Sequence, residues 1–424
     1  MKIAYLSTDF GIPVHGNKGA AIHVRELSAA LAGQGHAVEI LTCRAGGDAP
    51  TGFAVPVHEF ATERPERLLT GSLEDDPGAS EPIAKEVRSM LYAANLRYRV
   101  LPLLRRMRPD ALYERYSLFG TTGVEIAREL GIPHILEVNA PLSEEHARYR
   151  GSAFPQTIRA TERRILAAAD EVIAVSEPLR RWIVGSGADE AHVTVVPNGV
   201  DVERFAAGAG NQRQVLGLDD RPVVGFAGTL KGWHGTETLV RAMAQLARQR
   251  GLDRTPYLLI VGDGPQRLTL EGAAAEEGVE SLVIFTGTIA HDEMPDYLAV
   301  MDIAVAPYDV SPDFYFSPLK LFEYMAASRP VVAAAIGQIE DCLRDGETGL
   351  LYPPGDTDAL AQRIAALVDD PARRLAIGQG AQAEVRANRS WRRNAEIVAG
   401  LIERQRTRLE PVPVPALASL ERAS

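Results

Sequence analysis

The chain has 424 residues, 46% of them hydrophobic, and a formal net charge of -11. At roughly 150 residues per domain, this length predicts two or three domains with sizeable apolar cores. The acidic balance disfavours a nucleic-acid-binding protein, because such binding depends largely on neutralising phosphates with basic residues. Cys43 and Cys342 lie far apart and show no metal-binding spacing, which is typical of a reducing compartment. The first apolar run is too short for a signal segment or a membrane span, so we expect a soluble, cytoplasmic protein.

The amino-terminal part opens with the pattern of a doubly wound parallel sheet. Lys2–Ser7 reads as a buried strand, and a glycine-rich loop, a helix over 20–33 and a second strand over 37–41 follow. Such sheets bind ligands at the carboxyl ends of their strands. The loop at 16–19 would lie there with bare N–H groups at the start of the helix. The alternative is an ordinary βα loop, since those loops often contain glycine.

Three further stretches of the amino-terminal half carry candidate features. Residues 46–82 are rich in Gly, Pro and acidic residues, which predicts a long excursion, and 83–107 predicts a helix interrupted near Pro102. The arginines of that helix suit either a membrane surface or anionic acceptor, or a plain solvated face. A strand over 132–138 delivers Asn139 to the carboxyl edge of the sheet, where it is a site candidate by topology or simply a turn asparagine.

A second series begins after the sharp turn at 197–201, where we place the domain boundary. Strands are predicted at 223–227, 257–261, 283–286, 303–307, 331–334 and 349–352. Most of their carboxyl ends carry glycine or a small polar residue. Several such loops on one edge of a sheet form a pocket suited to a phosphorylated ligand.

The stretch from Ser317 to Glu323 combines a tight Ser-Pro turn with a helix start. Lys320 and Glu323 are three residues apart and share one face of that helix. Unpaired N–H groups and the helix dipole favour an anion there, to which Lys320 adds a cation. Glu323 could accept hydrogen bonds from sugar hydroxyls one turn deeper. The pattern fits a nucleotide-sugar, and the alternative is an ordinary helix start with a solvated Lys/Glu pair.

These motifs together resemble the family 4 retaining glycosyltransferases, over nearly the whole chain. The resemblance implies the GT-B architecture, an α/β fold in which two Rossmann-like, doubly wound parallel-sheet domains face each other across a cleft. It implies an acceptor domain at 1–199, a nucleotide-sugar domain at 200–385, a helix crossing back at 386–407 and a flexible tail at 408–424. The motifs that carry it are Lys18-Gly19, Gly35-His36-Ala37-Val38, Val196-Pro197-Asn198-Gly199-Val200-Asp201, Gly262-Asp263-Gly264-Pro265, Phe285-Thr286-Gly287, Pro318 to Glu323, Arg329-Pro330-Val331-Val332-Ala333, and Asp345-Gly346 with Thr348-Gly349-Leu350-Leu351.

The resemblance also implies a site and a mechanism. The departing diphosphate itself accepts the acceptor's proton, so no cofactor and no metal is expected, and the donor substrate is a nucleoside-diphosphate sugar. Catalytic roles fall on Lys320, Gly19, Glu323 and Asn139. Acceptor contacts fall on Lys18, Asn139, Glu144 and Glu145. Donor contacts fall on Gly228, Thr229, Lys231, His234, Gly262, Gly264, Ile289, Ser317, Pro318, Leu319, Lys320 and Glu323.

The chain departs from the family pattern at three kinds of position. Tyr315 stands where the first of two family glutamates would fall, and Thr229 and His234 stand where an Arg and a Lys would fall. Asn139 stands in place of a family histidine. Lys231 or Lys320 could then neutralise the diphosphate, although Lys231 also suits a solvated loop, His234 a helix cap, and Glu144 and Glu145 a solvated helix start.

Three kinds of function stay open from the sequence. The first is sugar transfer to a small-molecule, glycan or lipid-linked acceptor, with no nucleic-acid partner and with membrane-surface association neither indicated nor excluded. The second is sugar-nucleotide epimerisation or glycosidic phosphorolysis, because a fold does not dictate one reaction. The third is a non-catalytic partner subunit that binds a nucleotide-sugar.

Overall fold

A computed structural model describes residues 1–76, 81–149, 151–310, 314–315 and 317–409 of the chain. It contains two wholly parallel sheets, so the expected fold of two Rossmann-like α/β domains is confirmed. The first sheet has seven strands in the order β3-β2-β1-β4-β5-β6-β7, and the second has six in the order β10-β9-β8-β11-β12-β13. The strands of the first sheet are β1 Lys2–Ser7, β2 Ala37–Thr42, β3 Val57–Glu59, β4 Ala111–Arg115, β5 His134–Val138, β6 Glu171–Ala174 and β7 Val193–Val195. Those of the second are β8 Val223–Ala227, β9 Tyr257–Val261, β10 Val283–Phe285, β11 Ile303–Ala306, β12 Val331–Ala334 and β13 Leu350–Tyr352.

Helices cover the faces of both sheets, because a parallel sheet returns to its starting edge by a crossover. The central strands are accordingly buried along their whole length, as in β5 and β8. Before β8 the helices are α1 Gly19–Gly33, α2 Arg64–Glu74, α3 Glu81–Met107, α4 Thr122–Leu130, α5 Leu142–Tyr149, α6 Pro155–Ala168, α7 Glu177–Gly185, α8 Val202–Ala206 and α9 Gln212–Val215. After β8 they are α10 Thr236–Arg250, α11 Arg267–Glu276, α12 Met294–Val300, α13 Leu319–Ala326, α14 Gln338–Cys342, α15 Thr357–Val368, α16 Pro371–Asn388 and α17 Trp391–Leu409.

Each sheet has a point where the strand order changes direction. In the first sheet β1 lies between β2 and β4, and in the second β8 lies between β9 and β11. The loops that leave the two adjacent strands must part there towards opposite faces, which opens a crevice at their carboxyl ends. The topology therefore predicts one ligand crevice beyond β1 and β4 and another beyond β8 and β11.

The last helix, α17, packs on the first sheet although it follows the second in the chain. Trp391, Val398 and Leu401 are buried in one apolar cluster with Ile3 and Leu27 of the amino-terminal part. The predicted boundaries at 199/200, 385/386 and 407/408 stay predictions. Helix α17 continues to Leu409, two residues into the predicted tail, and the rest of that tail, 410–424, lies outside the described residues.

Two expectations for the stretch before β4 were wrong. The predicted excursion at 46–82 contains β3, which pairs with β2, and the helix α2, which packs on α3. Pro102 does not interrupt α3, which runs unbroken through it. Proline removes one N–H donor, but Leu96, Val100 and Leu104 bury the flanking turns in the core. Tertiary packing thus outweighs the local preference. Among the described helices, none is both long and apolar enough to cross a bilayer.

Candidate active site

Lys320 occupies the crevice of the second sheet, in the first turn of α13. Its Nζ lies 4.4 Å from the ring centroid of Phe226 on β8 and 5.4 Å from that of Tyr308, just after β11. The amine is buried and makes no hydrogen bond to any residue in the described ranges. Burial lowers the pKa of Lys320 to about 7, although the charge of Glu323 opposes this shift. A buried amine without a partner, at a strand-order reversal, is poised to receive an anion.

Glycines allow the neighbouring loops to approach Lys320 and each other. A Cβ at Gly228, which has φ +138°, would lie 2.9 Å from Lys320 Nζ. A Cβ at Gly262 would lie 2.2 Å from the Gly228 carbonyl oxygen, and one at Gly264 2.5 Å from that of Leu230. Main chain therefore packs on main chain here, which only glycine allows. The structure thus brings three of the predicted donor residues together with Lys320.

Two other residues predicted to contact the donor, His234 and Lys231, lie in the loop after β8 and contact neighbouring groups there. His234 Nδ1 lies 2.6 Å from the carbonyl oxygen of Thr229, and its ring contacts Phe226 and Tyr308. Burial, with the nearby charge of Lys320, lowers the pKa of His234 to about 3, so this imidazole is neutral. Lys231 Nζ lies 5.8 Å from the ring centroid of Trp233. The loop thus carries one neutral imidazole and one cation near the crevice.

The start of α13, in the second half of the chain, contacts the start of α1, in the first half. A Cβ at Gly19 would lie only 3.3 Å from Leu319 Cδ1. Just before α13, Ser317 is buried, and its hydroxyl accepts a hydrogen bond of 3.0 Å from the N–H of Asn198. Pro318 is the residue that precedes the helix. Gly19 is therefore placed beside the predicted donor helix, whereas Ser317 holds the chain segment that links the two sheets.

Glu323 lies one turn further and is engaged by a histidine that the sequence analysis did not select. His291 Nε2 is 2.9 Å from Glu323 Oε1, and both side chains are largely buried. The Arg204 guanidinium lies 3.0 Å from His291 Nδ1 and must donate to it, so the ring proton sits on Nε2 and points to Glu323. Ile289, on the same loop, packs against the core of the second sheet.

Asn139 belongs to a buried network at the edge of the first sheet. Its amide donates to Glu137 at the end of β5. Glu137 also lies 2.8 Å from His23 Nε2 and 2.9 Å from an Arg115 nitrogen. Burial would raise the pKa of Glu137, but His23 and Arg115 outweigh it and hold the pKa at about 2. His23 Nδ1 contacts Asn198 Oδ1 at 2.6 Å, which connects this network to the inter-sheet segment.

A cavity of about 410 Å³ opens beyond β1 and β4, as the first strand-order reversal predicts. Because it lies in the half of the chain that the sequence predicts to bind the acceptor, we call it the acceptor cavity; Asp9, Lys18, Arg88, Ser117 and Glu145 are among its lining residues. Lys18, at the N-cap of α1, is exposed and donates to the carbonyl of Gly11. The volume suits a small molecule rather than a macromolecule.

The two glutamates of α5 that were predicted to contact the acceptor, Glu144 and Glu145, line different cavities. Glu145 lines the acceptor cavity and accepts a hydrogen bond from the Tyr315 hydroxyl, which comes from the second half of the chain. Glu144 instead accepts from the indole N–H of Trp182 at 2.7 Å and lines a separate surface depression. Of the two, only Glu145 faces the cavity beside Lys18.

Sequence reasoning missed His23, Arg115, Glu137, His291 and Arg204. Each lies in a run of ordinary composition, and nothing local separates it from a solvated charge. The carboxyl edge of the sheet offered one usable signal, because Glu137 stands two residues before Asn139, which was selected for its place at that edge. In the described ranges no group of three or more His, Cys, Asp and Glu side chains is arranged to hold a metal ion.

Comparison with known proteins agrees with this geometry. Residues 17–204 match the family described as Glycosyltransferase Family 4, and residues 221–370 match Glycosyl transferases group 1. A glycogen synthase of Mycobacterium tuberculosis is 27% identical over all of this chain and 99% of its own length. A GDP-mannose-dependent alpha-(1-6)-phosphatidylinositol monomannoside mannosyltransferase of Mycolicibacterium smegmatis is 31% identical over 65% of this chain and 72% of its own.

Solved structures share the fold. HepE of Anabaena in complex with UDP superposes with a TM-score of 0.72 at 20% identity, over 95% of this chain and all of the other. Sucrose-phosphate synthase of Thermosynechococcus elongatus gives a TM-score of 0.72 at 24% identity, over 96% and 99% of the two chains. Two parallel-sheet domains of this topology define the GT-B class of glycosyltransferase. Within that class, the chain belongs to glycosyltransferase family 4.

Proposed function

We propose that this glycosyltransferase moves a sugar from a nucleoside-diphosphate sugar to a hydroxyl acceptor with retention of anomeric configuration. The observation that carries the proposal is the buried Nζ of Lys320, which has no hydrogen-bond partner among the described residues at the second strand-order reversal. A diphosphate would supply the missing partner. Gly228 leaves the space beside this amine, and Gly19 faces the same helix from the first sheet.

The chemistry follows from where charge develops. The bond between the anomeric carbon and the β-phosphate oxygen breaks, and a bond to the acceptor oxygen forms on the same face. The hydroxyl proton passes to the departing phosphate. Donors already aimed at that phosphate stabilise the transition state most, and we assign this role to Lys320, to the N–H of Gly19 and to Lys231, with Lys320 rather than a metal ion as the main cation.

The remaining donor contacts are assigned by their positions. Glu323 would accept hydrogen bonds from the ribose, with His291 orienting its carboxylate at 2.9 Å. The base would lie by Ile289 and bond to main chain. HepE was crystallised with UDP and the mannosyltransferase relative is named for GDP-mannose, which supports a nucleotide donor without selecting the base or the sugar.

The acceptor would occupy the acceptor cavity. Lys18 and Glu145 line it. Asn139 is not among the lining residues; its amide donates to Glu137 at the end of β5, and we propose that it meets the acceptor from there. A carboxylate and an amide are suited to orient hydroxyl groups, since both accept hydrogen bonds. We propose no acceptor contact for Glu144, because Trp182 engages it at a separate depression.

A donor panel tests the proposal. The protein is incubated with UDP-, GDP- and ADP-linked sugars, with and without EDTA, and the released nucleoside diphosphate is measured. Release that persists in EDTA, with an α-linked product from an α-linked donor by NMR, is the expected result. A product of inverted configuration would overturn retention. Binding without release would favour a non-catalytic subunit, and exchange at C2 without acceptor would favour epimerisation.

A further inference from the structure

The acceptor cavity contains a basic group that no acidic side chain neutralises. Arg88, on α3, lines the cavity, and its Cζ lies 4.8 Å from the ring centroid of Phe10. Within the described ranges Arg88 forms no ion pair and no hydrogen bond, and its Nε is buried. A guanidinium stays protonated at any ordinary pH and carries five N–H donors. A buried N–H without an acceptor is costly unless a ligand supplies one, and the Nε of Arg88 is such a donor.

Three other arginines of α3 already have carboxylate partners. Arg97 and Arg105 both bond to Glu129, and Arg99 pairs with Glu63 at 3.1 Å. These three arginines therefore have carboxylates, whereas Arg106 is exposed to solvent. Arg88 is different because it lines the acceptor cavity, where a ligand could take the place of the carboxylate.

The acidic side chains of the cavity do not compete for Arg88, because each already has donors. Glu81 pairs with Lys85. Glu86 is buried, lies 3.2 Å from His146 and accepts the N–H groups of two residues before α6. Asp9 accepts the N–H of Gly11 at 2.7 Å, and Glu145 accepts the Tyr315 hydroxyl. An anion entering the cavity therefore finds its unsatisfied donors at Arg88.

We propose that the acceptor carries a phosphate group and that Arg88 binds it. This inference rests on the proposed transfer reaction and specifies its acceptor. The planar guanidinium fork matches two phosphate oxygens, and its Cζ lies 4.8 Å from the ring centroid of Phe10. Lys18, which lines the same cavity beside Gly19, adds a second cation near the reacting hydroxyl. A cavity of about 410 Å³ holds a phosphorylated monosaccharide or polyol.

Matched acceptors test the proposal. Glucose, glycerol and myo-inositol are each compared with their monophosphates, using the donor identified in the panel and release of nucleoside diphosphate as the readout. We expect the monophosphates to react with a kcat/KM at least about tenfold higher, since a charge-assisted hydrogen bond is involved. Arg88→Gln should lower that value on the order of 10–100-fold for the monophosphates.

The controls separate recognition of phosphate from a merely structural role. Arg88→Gln should leave the donor KM unchanged and should slow the reaction of neutral acceptors far less than that of the monophosphates, and Arg88→Lys should restore part of the preference. Arg97→Gln, on the same helix but outside the cavity, should behave as wild type. Vesicles of phosphatidylinositol present the same chemistry as a lipid headgroup, and a higher rate with them than with inositol monophosphate would identify the lipid as its source.

Three results would overturn the inference: no preference for the monophosphates, an equal loss with neutral and phosphorylated acceptors, or an effect of Arg88→Gln on the donor KM alone. If the wild-type protein consumes no donor, the proposed function fails. The phosphate site is then tested separately by thermal shift with the same compounds. Stabilisation by the monophosphates that Arg88→Gln abolishes supports the site, and equal stabilisation by the neutral compounds overturns it.

Discussion

The Tyr315 hydroxyl donates a hydrogen bond to Glu145, a residue of helix α5 that stands 170 positions earlier in the chain. By sequence, Tyr315 is predicted to stand where the family's first glutamate would fall, and the structure places the Glu145 carboxylate of α5 beside it. The Tyr315 carbonyl also accepts a hydrogen bond of 2.6 Å from the Ser176 hydroxyl, at the start of α7. One residue thus fastens the second half of the molecule to the first, at the rim of the acceptor cavity.

Removing that hydroxyl should impair acceptor use. We expect Tyr315→Phe to lower kcat/KM for the acceptor by roughly 5–30-fold, which corresponds to about 1–2 kcal/mol for a hydrogen bond to a charged group. Steady-state kinetics with the acceptor varied provides the measurement. Tyr149→Phe, on the exposed face of the same helix α5, is the control. An equal rise in the donor dissociation constant would show that the contact serves the donor instead.

Lys320 should matter more for turnover than for binding. Lys320→Met keeps a long side chain between Phe226 and Tyr308 but removes the charge. We expect kcat to fall on the order of 100–1000-fold, as when one preset donor to developing charge is lost, with a smaller change in donor affinity. Lys231→Met is the matched variant in the neighbouring loop. If Lys231→Met causes the larger loss, the main role in neutralising the diphosphate belongs to that lysine.

Donor binding should also take up a proton. With a pKa of about 7 in the free protein, Lys320 is mostly neutral at pH 8, and a bound diphosphate favours the charged amine. Calorimetry of nucleotide-sugar binding in buffers of different ionisation enthalpy should therefore show uptake approaching one proton at pH 8. At pH 6, where the amine is already charged, uptake should be small. Uptake in Lys320→Met equal to wild type would assign the proton to another group.

Glu323 should contribute to donor affinity. We expect Glu323→Ala to weaken nucleotide-sugar binding by about 1–3 kcal/mol, the cost of losing a charged acceptor, measured by calorimetry. His291→Gln, which keeps an N–H donor near the carboxylate, should have a smaller effect than His291→Ala. Glu347→Ala, on the surface of the same half of the chain, is the control. Unchanged affinity in Glu323→Ala would remove the ribose assignment.

Glu137 should stabilise the folded protein, in addition to accepting the hydrogen bond of the Asn139 amide. Because its pKa is lowered to about 2 in the folded protein, it contributes stability that is fully present above its unfolded pKa, about 4.5, and that is lost as the pH falls towards 2. Glu137→Gln should destabilise the protein by about 3–5 kcal/mol at pH 7, since His23 and Arg115 lose a buried partner.

Thermal unfolding of wild type and variant at pH 7 and pH 3.5 checks this expectation, and the difference should shrink at the lower pH. Glu129→Gln, which touches only an exposed pair of arginines, should change little. A difference that grows with acid would mean that the network gains its stability from another group.

Much of the fold could be read from periodicity. Short apolar runs predicted most strands of both sheets, because a strand buried on both faces needs no polar alternation. The same reasoning failed at β3 and α2, where composition indicated an excursion but pairing with β2 and packing on α3 impose structure. It failed again at Pro102, where core packing keeps α3 continuous.

The sequence by itself determined the family, the parallel-sheet architecture and the placing of Lys320 and Glu323 on one helix turn, because these depend on local spacing. Only the tertiary structure brought Glu145 to Tyr315, His291 to Glu323 and His23 to Glu137, and only it placed Arg88 in a cavity whose carboxylates are engaged by other donors. Those relationships join residues far apart in the chain. The physical reason is that burial and partnership of a charge are properties of the packed molecule, and one charged residue in a sequence looks like any other until the chain has folded around it.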